Sequence, residues 1–268
     1  MTTAFSTEQV ARAFKDLRSG FLWWGLWGRL GWQDILMRYR RSVLGPFWLT
    51  LSTGILVGTM GTLYSVLFRL PASEYIPFLA LGLIIWGFIS SILAEGCNTF
   101  IEAESVLKQV ALPASIFVYR VVWRALIIMA HSTPIYLLLL ALFEIPLNWT
   151  LLLALPATLL LIAHALWISL LFGMISARFR DFPQIVGSIV QIAFFLTPIV
   201  WKPELLRERV FVVTINPLYH TIEILRGPLL GVPPEALSWI VVGLTLFVGW
   251  IVTFLVFARM RSRIVYWI

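Results

Sequence analysis

Two arginines near the start of the third long apolar segment, Arg120 and Arg124, are the residues most open to chemistry. They lie one helical turn apart and therefore share one face of a helix. Their guanidinium groups could bind the phosphate of an anionic lipid, or they could pair with Glu95, Glu102 or Glu104. They could also extend to the membrane surface and mark only a helix end. The sequence leaves these interpretations open.

The histidines give little support to metal or proton chemistry. His131, His164 and His220 lie far apart in the sequence, and neither a Cys-x-x-Cys nor a His-Glu-x-x-His spacing occurs. We therefore expect no metal site. His131 and His164 could relay protons, but a neutral histidine bonded to the backbone of a neighbouring helix is the simpler interpretation.

The lysines argue against an ATP-binding loop. A phosphate-binding loop requires a glycine-rich turn followed by Lys and then Ser or Thr, and Lys15, Lys108 and Lys202 have no such neighbours. We expect the chain to bind no cofactor and to hydrolyse no ATP by that route. Any ATP-driven work would need a separate subunit.

The composition is that of a membrane protein. Hydrophobic residues make up 60% of the chain and charged residues 12%, and the mean hydropathy is +0.92. The net charge of +7 arises largely from arginines at the ends of apolar runs, which favours contact with lipid headgroups over nucleic acid. The composition predicts an all-α protein with several membrane-spanning helices.

The stretch R-Y-R-R-S-V-L-G-P-F-W, from Arg38 to Trp48, joins a basic arm to the first apolar segment. Before it, the sequence predicts an amphipathic helix at 2–18, a tryptophan-rich interfacial helix at 21–32 and a basic helix at 33–41. We interpret residues 1–46 as this cytoplasmic and interfacial arm. Residues 47–268 then form one transmembrane domain.

The apolar segments predict six spans and a definite orientation. The spans are expected at 47–68, 76–94, 116–143, 149–177, 185–200 and 238–258. An even number places both termini on one side, and 13 of the 20 basic residues fall on that side against 5 on the other. The positive-inside rule therefore predicts cytoplasmic termini.

Two connections are long enough to carry structure. The segment 216–231 is helical in pattern, is bounded by prolines and is too short to cross, which predicts a re-entrant helix pair before the last span. On the cytoplasmic side, 95–113 predicts a short amphipathic helix that docks on a partner.

Aromatic side chains in the spans could line a conduit, because ring faces stack on the C–H faces of sugars. They could equally face lipid, headgroups or neighbouring helices. The candidates are Tyr64, Trp86, Tyr119, Trp123, Trp167, Phe194, Phe195 and Trp201.

Five motifs in order give the chain a family resemblance. They are the arginine stretch at 38–48, the segment 98–113, R-F-R-D-F at 178–182, T-P-I-V-W at 197–201 and N-P-L-Y at 216–219. Across nearly its whole length the chain resembles the transmembrane (permease) subunits of polysaccharide-exporting ABC transporters. These export O-antigen, capsule or teichoic acid across the bacterial inner membrane.

The resemblance implies an assembly and a substrate. Two copies of the chain would pair with two ATPase subunits, which would bind the ATP and Mg. A polymer on a polyprenyl pyrophosphate carrier, with O-antigen as the first candidate and capsule or teichoic acid as the others, would pass between the two copies. The chain itself would be a transport subunit and not an enzyme.

The resemblance also implies roles for particular residues. The gate at the cytoplasmic mouth, on a helix at 34–44, and the contact with the pyrophosphate would involve Arg38, Tyr39, Arg40, Arg41, Arg120 and Arg124. Coupling to the ATPase would involve Asn98, Glu102, Glu104, Lys108 and Pro113. The outer gate would involve Asn216, Pro217, Tyr219, Gly227 and Pro228.

Two alternatives remain. One is the membrane subunit of an ABC exporter for drugs or lipids on the same scaffold. The other is a membrane enzyme acting on a polyprenyl-linked sugar, with Arg120, Arg124, or His220 beside Glu223, at the headgroup. The scarce and scattered acidic residues disfavour the enzyme.

Overall fold

The structure is a computed structural model that describes residues 7–40, 45, 47–209 and 211–268. Within these residues every regular element is a helix, which confirms the predicted all-α class. The longer helices are α1 (Thr7–Leu22), α2 (Trp24–Tyr39), α3 (Phe47–Phe68), α4 (Ala72–Asn98), α6 (Ser115–Ala130), α7 (Thr133–Leu142), α8 (Ala154–Arg178), α9 (Phe182–Leu196), α11 (Pro217–Leu229) and α12 (Ala236–Met260). The short ones are α5 (Glu104–Gln109), α10 (Phe211–Thr214) and α13 (Ile264–Trp267), with 3-10 turns at Trp149–Leu153, Pro203–Arg209 and Arg261–Arg263.

Five segments in the described residues are long and apolar enough to cross a membrane. They are Phe47–Phe68, Ala72–Asn98, Ser115–Leu142, Trp149–Arg178 and Ala236–Trp267. They coincide with five of the six predicted spans. Helix α4 lies at the centre of the bundle, where it packs against α3, α6, α8, α9 and α11.

The predicted span at 185–200 corresponds to the 15-residue helix α9, about 22 Å long against a hydrocarbon core of about 30 Å. It ends at Thr197, whose backbone is extended (φ −93°, ψ 137°). Pro198 explains why the helix ends here, since the helical conformation is disfavoured for a residue that precedes proline. The chain turns here earlier than the apolar pattern indicated.

The third span is two helices rather than one. Helix α6 ends at Ala130, His131 and Ser132 form a turn, and α7 starts with Pro134 in its first turn. Proline has no N–H to donate and its ring collides with the carbonyl four residues back, which favours a break in the helix at this point. The Thr50 hydroxyl of α3 donates a hydrogen bond to the His131 carbonyl at this break.

The arm consists of two helices, which corrects the three predicted segments. Helix α1 extends to Leu22, and the tryptophan-rich and basic stretches form the single helix α2. The residues of α2 that face the bundle recur at helical spacing across both stretches: Trp27, Gly31 and Asp34 meet α6, and Arg38 meets Glu95 of α4. A common packing face therefore keeps them in one helix.

Helix α1 is held by its one buried carboxylate, Asp16, and by part of the predicted apolar face, since Leu17 packs on the buried cluster that contains Ala13. The side chain is 1% exposed and accepts hydrogen bonds from the backbone N–H groups of Ala114 and Ser115 at the start of α6. Arg261 Nε lies 2.6 Å from the same carboxylate. Phe14, by contrast, is exposed. Asp16 thus ties the N-terminal helix to both α6 and the end of α12.

Helix α11 is embedded among α4, α8 and α12. Its first residues, Pro217 and Leu218, line a cavity of about 230 Å³ beside His164, midway along α8. At its other end the Leu229 carbonyl accepts a hydrogen bond from Tyr136 (2.9 Å), and Asn148 donates to the Gly231 carbonyl (2.9 Å). The helix therefore runs from the middle of the bundle towards the loop that joins α7 to α8.

Candidate functional site

One end of the bundle carries a network of ion pairs, which we call the arginine network. Its members come from α2, α4, α6 and the segment after α4. They are Asp34, Arg38, Glu95, Glu102, Arg120 and Arg124.

Asp34 joins α2 to α6. Its Oδ2 accepts a hydrogen bond from Arg120 Nε at 2.7 Å, and its Oδ1 accepts one from Arg120 Nη2 at 2.5 Å. Arg124 Nη1 donates to the same Oδ2 at 2.9 Å. Because two parallel N–H groups of Arg120 meet the two carboxylate oxygens, the orientation of α2 on α6 is fixed as well as its distance.

Glu95, near the end of α4, joins the same arginine to the basic arm. Arg124 Nε donates to Glu95 Oε2 at 2.9 Å, and Arg38 Nη2 donates to Glu95 Oε1 at 3.0 Å. Glu102 lies 3.9 Å from Arg124 Nη2. The Arg124 side chain is only 6% exposed, so its charge requires these partners. Three arginines and three carboxylates leave the network without net formal charge.

The network places the arginines of the predicted gate in two groups. Arg120 and Arg124 pair with carboxylates. Two of the partners of Arg124, Glu95 and Glu102, are among those that the sequence analysis proposed. Arg38, which is bonded to Glu95, and Arg40 are exposed at the end of α2. Arg41 lies outside the described residues.

Tyr39 lies between these two exposed arginines on the last turn of α2. Burial raises the pKa of its hydroxyl, Arg38 lowers it and Glu95 raises it, with a net rise. The phenol is therefore protonated around neutral pH and can donate a hydrogen bond.

The segment predicted to couple to an ATPase lies beside the network. Asn98 ends α4, and its carbonyl accepts a hydrogen bond from the Glu102 N–H at 2.9 Å. The short helix α5 follows, with Lys108 bonded to Glu104 at 2.7 Å and both side chains largely exposed. This hydrogen bond, with the lysine charge, lowers the pKa of Glu104. Pro113 precedes α6.

Phe100 anchors this segment to the bundle. Its side chain is fully buried, and it meets α8 where Gly173 leaves room for the ring. A Cβ at position 173 would lie 3.0 Å from the ring. The loop between α4 and α5 is thus held against the spans while α5 remains exposed.

The predicted conduit aromatics divide into separate clusters. Trp86 contacts Phe194 (ring centroids 5.9 Å apart), Phe194 contacts Phe195, and Trp201 donates to the Phe195 carbonyl. Tyr64 stacks on Phe68 near the opposite end of the bundle from the network. The others lie elsewhere: Tyr119 and Trp123 contact Trp27 of α2, and Trp167 packs on Gly249 of α12.

The predicted outer-gate residues lie on or beside α11. The Asn216 side chain caps the helix by accepting from the Leu218 N–H (2.9 Å), and it donates to Thr197 Oγ (3.0 Å). Pro217 occupies the first turn, where a missing N–H costs nothing. Gly227 and Pro228 are buried, and Tyr219 is partly buried.

Arg226 is a buried charge that the sequence analysis did not single out. Its side chain is 0% exposed and bonds to Glu223 (2.7 Å) and to the Pro198 carbonyl (2.8 Å). Its guanidinium carbon lies 3.8 Å from the centre of the Phe78 ring. The sequence did contain a sign of this ion pair, because Glu223 and Arg226 are three residues apart on a predicted helix.

The histidines are bonded within the bundle. His131 and His164 each place Nδ1 near the carbonyl four residues back, and His164 Nε2 also lies 3.2 Å from Thr245 Oγ. His220 lies between Ser238 and the Thr214 carbonyl. In the part of the chain that the structure describes, no three His, Cys, Asp or Glu side chains group as metal ligands would.

Several apolar spans around a central helix, with charge pairs and exposed arginines gathered at one end, define a multi-pass membrane protein. Residues 26–230 match the family described as ABC-2 type transporter. The chain therefore belongs to the ABC-2 type transporter family. The resemblance drawn from the five motifs is confirmed.

Curated relatives carry a more specific description. The chain is 25% identical over 190 residues to an O-antigen export system permease protein RfbA of Myxococcus xanthus, a match that covers 69% of this chain and 73% of the relative. Two proteins of the same description from Klebsiella pneumoniae are each 22% identical, with the same coverage.

Proposed function

We propose that this chain is the membrane subunit of an ATP-driven exporter that moves a polyprenyl-pyrophosphate-linked polysaccharide, O-antigen in the first place, out across the bacterial inner membrane. The observation that carries the proposal is the match to O-antigen export permeases over 190 residues, inside a chain that belongs to the ABC-2 family. Two copies form the channel, and a separate pair of ATPase subunits binds Mg and ATP.

The arginine network supports a division of roles at the cytoplasmic mouth. Arg38 and Arg40 are exposed, and the N–H groups of Arg40 together with those of Arg38 that do not bond to Glu95 can be donors to a pyrophosphate, with the Tyr39 hydroxyl as a further donor. Arg120 and Arg124 already bind Asp34 and Glu95, so their part in the gate is to hold α2 on α6.

The exposed helix α5 supports a contact with the ATPase. Glu104 and Lys108 face solvent, and Glu102 lies between them and Arg124. A displacement of α5 would therefore reach α6 and, through Asp34, the gate helix α2. This chain of contacts gives ATP hydrolysis a route to the mouth of the channel.

The topology that we propose has six crossings and both termini in the cytoplasm. Helix α9 is short, and the turn at Thr197–Trp201 completes its crossing within the bundle. Helix α11, embedded from the middle of the bundle to the loop between α7 and α8, is re-entrant and serves as the outer gate. The buried Arg226–Glu223 pair favours this placement, since it satisfies a charge at membrane depth.

A deletion strain tests the function. Loss of the chain should remove O-antigen from the cell surface while the lipid-linked polymer accumulates inside, and the intact gene should restore export. A variant with Arg38→Glu and Arg40→Glu should insert normally but fail to restore it. Normal surface O-antigen in the deletion strain, with lost efflux of a drug or lipid instead, would favour the alternative exporter class.

A further inference from the structure

A cavity of about 570 Å³, which we call the head cavity, lies at the end of the bundle opposite from the arginine network. It is lined by the first residues of α4, the loop between α7 and α8, Lys202 and the residues that follow α11. Glu74 in its wall and Glu95 in the network are both on α4, about 31 Å apart along the helix. This distance matches the hydrocarbon core of about 30 Å, so the head cavity lies at the other membrane surface.

The head cavity is lined by two carboxylates, Glu74 and Glu144, and by Lys202, which gives it a net charge of −1. Lys202 Nζ lies 3.4 Å from Glu74 Oε2 and 5.8 Å from the centre of the Phe78 ring. Because an ammonium group has three donors, Lys202 keeps two of them for a ligand. Glu144 is exposed and pairs with no cation in the part of the chain that the structure describes. The cavity therefore offers a cation and, separately, a free carboxylate.

A second cavity, of about 460 Å³, which we call the tail cavity, has a mainly apolar wall. The Tyr136 and Thr158 hydroxyls in it donate to the Leu229 and Ala154 carbonyls at 2.9 and 2.7 Å, so they donate nothing to a ligand. The wall therefore suits a hydrocarbon chain. Its apolar members include Leu81, Ile84, Ile85, Leu126, Ile127 and Leu225.

The tail cavity opens towards the lipid. Of the residues that line it, Trp123, Ala130 and Thr133 on the third span are exposed, and Ala154 and Thr158 on α8 are partly exposed. The opening therefore lies between the third and fourth spans. At this depth in a membrane the surrounding solvent is acyl chains.

The two cavities follow one another along the same helices. On α4 the head cavity is lined by residues from 73–78 and the tail cavity by residues from 81–85, and on α11 Leu229 lines the tail cavity where Leu230 lines the head cavity. From residue 73 to residue 85 the helix rises about 18 Å. One leaflet with its headgroups is about 20 Å thick. Together the cavities match the polarity and the depth of one phospholipid.

We propose that the two cavities bind one phosphatidylethanolamine molecule of the outer leaflet, an inference that goes beyond the proposed function and takes from it only the orientation of the chain. The lipid phosphate accepts hydrogen bonds from Lys202, and the lipid ammonium donates to Glu144. Ser73 lies in the first turn of α4, where N–H groups without an intrahelical acceptor also attract a phosphate. One acyl chain fills the tail cavity.

The charge of the head cavity selects this headgroup among common ones. Phosphatidylglycerol has the phosphate but no cation, so its negative charge would add to those of two carboxylates. Phosphatidylcholine has a cation without an N–H group and cannot donate a hydrogen bond to Glu144. Phosphatidylethanolamine satisfies both Lys202 and Glu144.

The first test measures headgroup preference. Native mass spectrometry of the purified, delipidated chain is used to titrate the three phospholipids with identical acyl chains. Phosphatidylethanolamine should bind roughly tenfold more tightly than the others, the difference expected for one charge-assisted hydrogen bond. Glu144→Lys changes the charge of the lining from −1 to +1 and should shift the preference to phosphatidylglycerol.

Glu204→Lys is the matched control, since Glu204 is exposed at the same end of the bundle but does not line the cavity. This variant should keep the preference of the unsubstituted chain. Equal binding of all three lipids by the unsubstituted chain, or an unchanged preference in Glu144→Lys, overturns the inference.

The second test concerns the acyl chain. Ala130→Trp places a large ring at the rim of the tail cavity and should weaken binding of all three lipids roughly tenfold, the loss expected when about two CH₂ groups are no longer buried. Leu138→Trp, on an exposed part of α7, should have no effect. Water-soluble glycerophosphoethanolamine should not compete with the lipid. Equal competition by it, or unchanged binding in Ala130→Trp, overturns the inference.

The third test asks whether a second copy of the chain covers the tail cavity instead. In a Cys97→Ala background, Thr133→Cys should form no disulfide between copies in native membranes, and a disulfide there overturns the inference. None of these measurements requires export. Preference for phosphatidylethanolamine in a chain that exports no glycan would leave the lipid site and remove the proposed function, whereas export without that preference would do the reverse.

Discussion

At the scale of single residues, charge pairing accounts for the site. Asp34, Glu95 and Asp16 hold helices together across the chain, and each binds a residue at least 29 positions away. The sequence did identify Arg120 and Arg124 as unusual, because charge is rare in an apolar segment. Two of the three partners it proposed, Glu95 and Glu102, do meet Arg124, but it missed Asp34, because residues so distant in the chain are brought together only by helix packing.

Asp34→Asn is expected to destabilise the protein. Arg124 would keep Glu95, but Arg120, whose side chain is 21% exposed, would lose the carboxylate that pairs with it, and removing one partner of a largely buried ion pair costs about 3 kcal/mol. Thermal unfolding in detergent measures the loss. Glu8→Gln is the control, because the exposed Glu8–Arg12 pair contributes about 0.5 kcal/mol or less. Equal effects of the two substitutions would show that the network does not stabilise the fold.

At the scale of helices, sequence patterns located the apolar segments well and their ends poorly. Apolar runs set the position of α3, α8 and α12, while α9 is shorter than predicted and α6 ends early. Pro198 ends α9 and Pro134 separates α6 from α7. Both prolines are visible in the sequence, but the prediction gave more weight to the continuous apolar runs around them.

Close helix packing gives a matched pair of glycine substitutions in α12. A Cβ at Gly249 would lie 2.5 Å from the Trp167 ring, whereas one at Gly243 would meet nothing within 4 Å. Gly249→Ala should therefore lower stability by about 1–3 kcal/mol through overpacking. Gly243→Ala should be neutral or slightly stabilising, as alanine favours helix. Similar melting temperatures for both variants would mean that α8 and α12 do not pack as described.

Charge reversal beside α5 tests the proposed coupling route. Replacing Glu102 and Glu104 by lysine breaks the Lys108 pair and places positive charge near Arg124. We expect normal membrane insertion but loss of substrate-stimulated ATP hydrolysis in the assembled exporter. Arg12→Glu, on an exposed part of α1, should leave the stimulation intact. Full stimulation in the double lysine variant would exclude this segment as the coupling element.

At the scale of the whole molecule, composition alone established the all-α membrane class, and ordered motifs led to the family. Other features depend on how the helices pack. Arg226 illustrates this: its spacing from Glu223 is visible in the sequence, but its contact with the Phe78 ring emerged only from the placement of α11 beside α4.

The central claim is that this chain forms the polymer path and leaves ATP hydrolysis to a partner. Its most direct test is reconstitution of the purified chain into lipid vesicles with and without the ATPase, measuring ATP-dependent movement of lipid-linked O-antigen to the opposite face by its accessibility to an added glycosidase. We predict movement only when both proteins and hydrolysable ATP are present, and no ATP hydrolysis by the chain alone. Hydrolysis by the isolated chain, or no polymer movement by an ATPase-active complex, would contradict the claim.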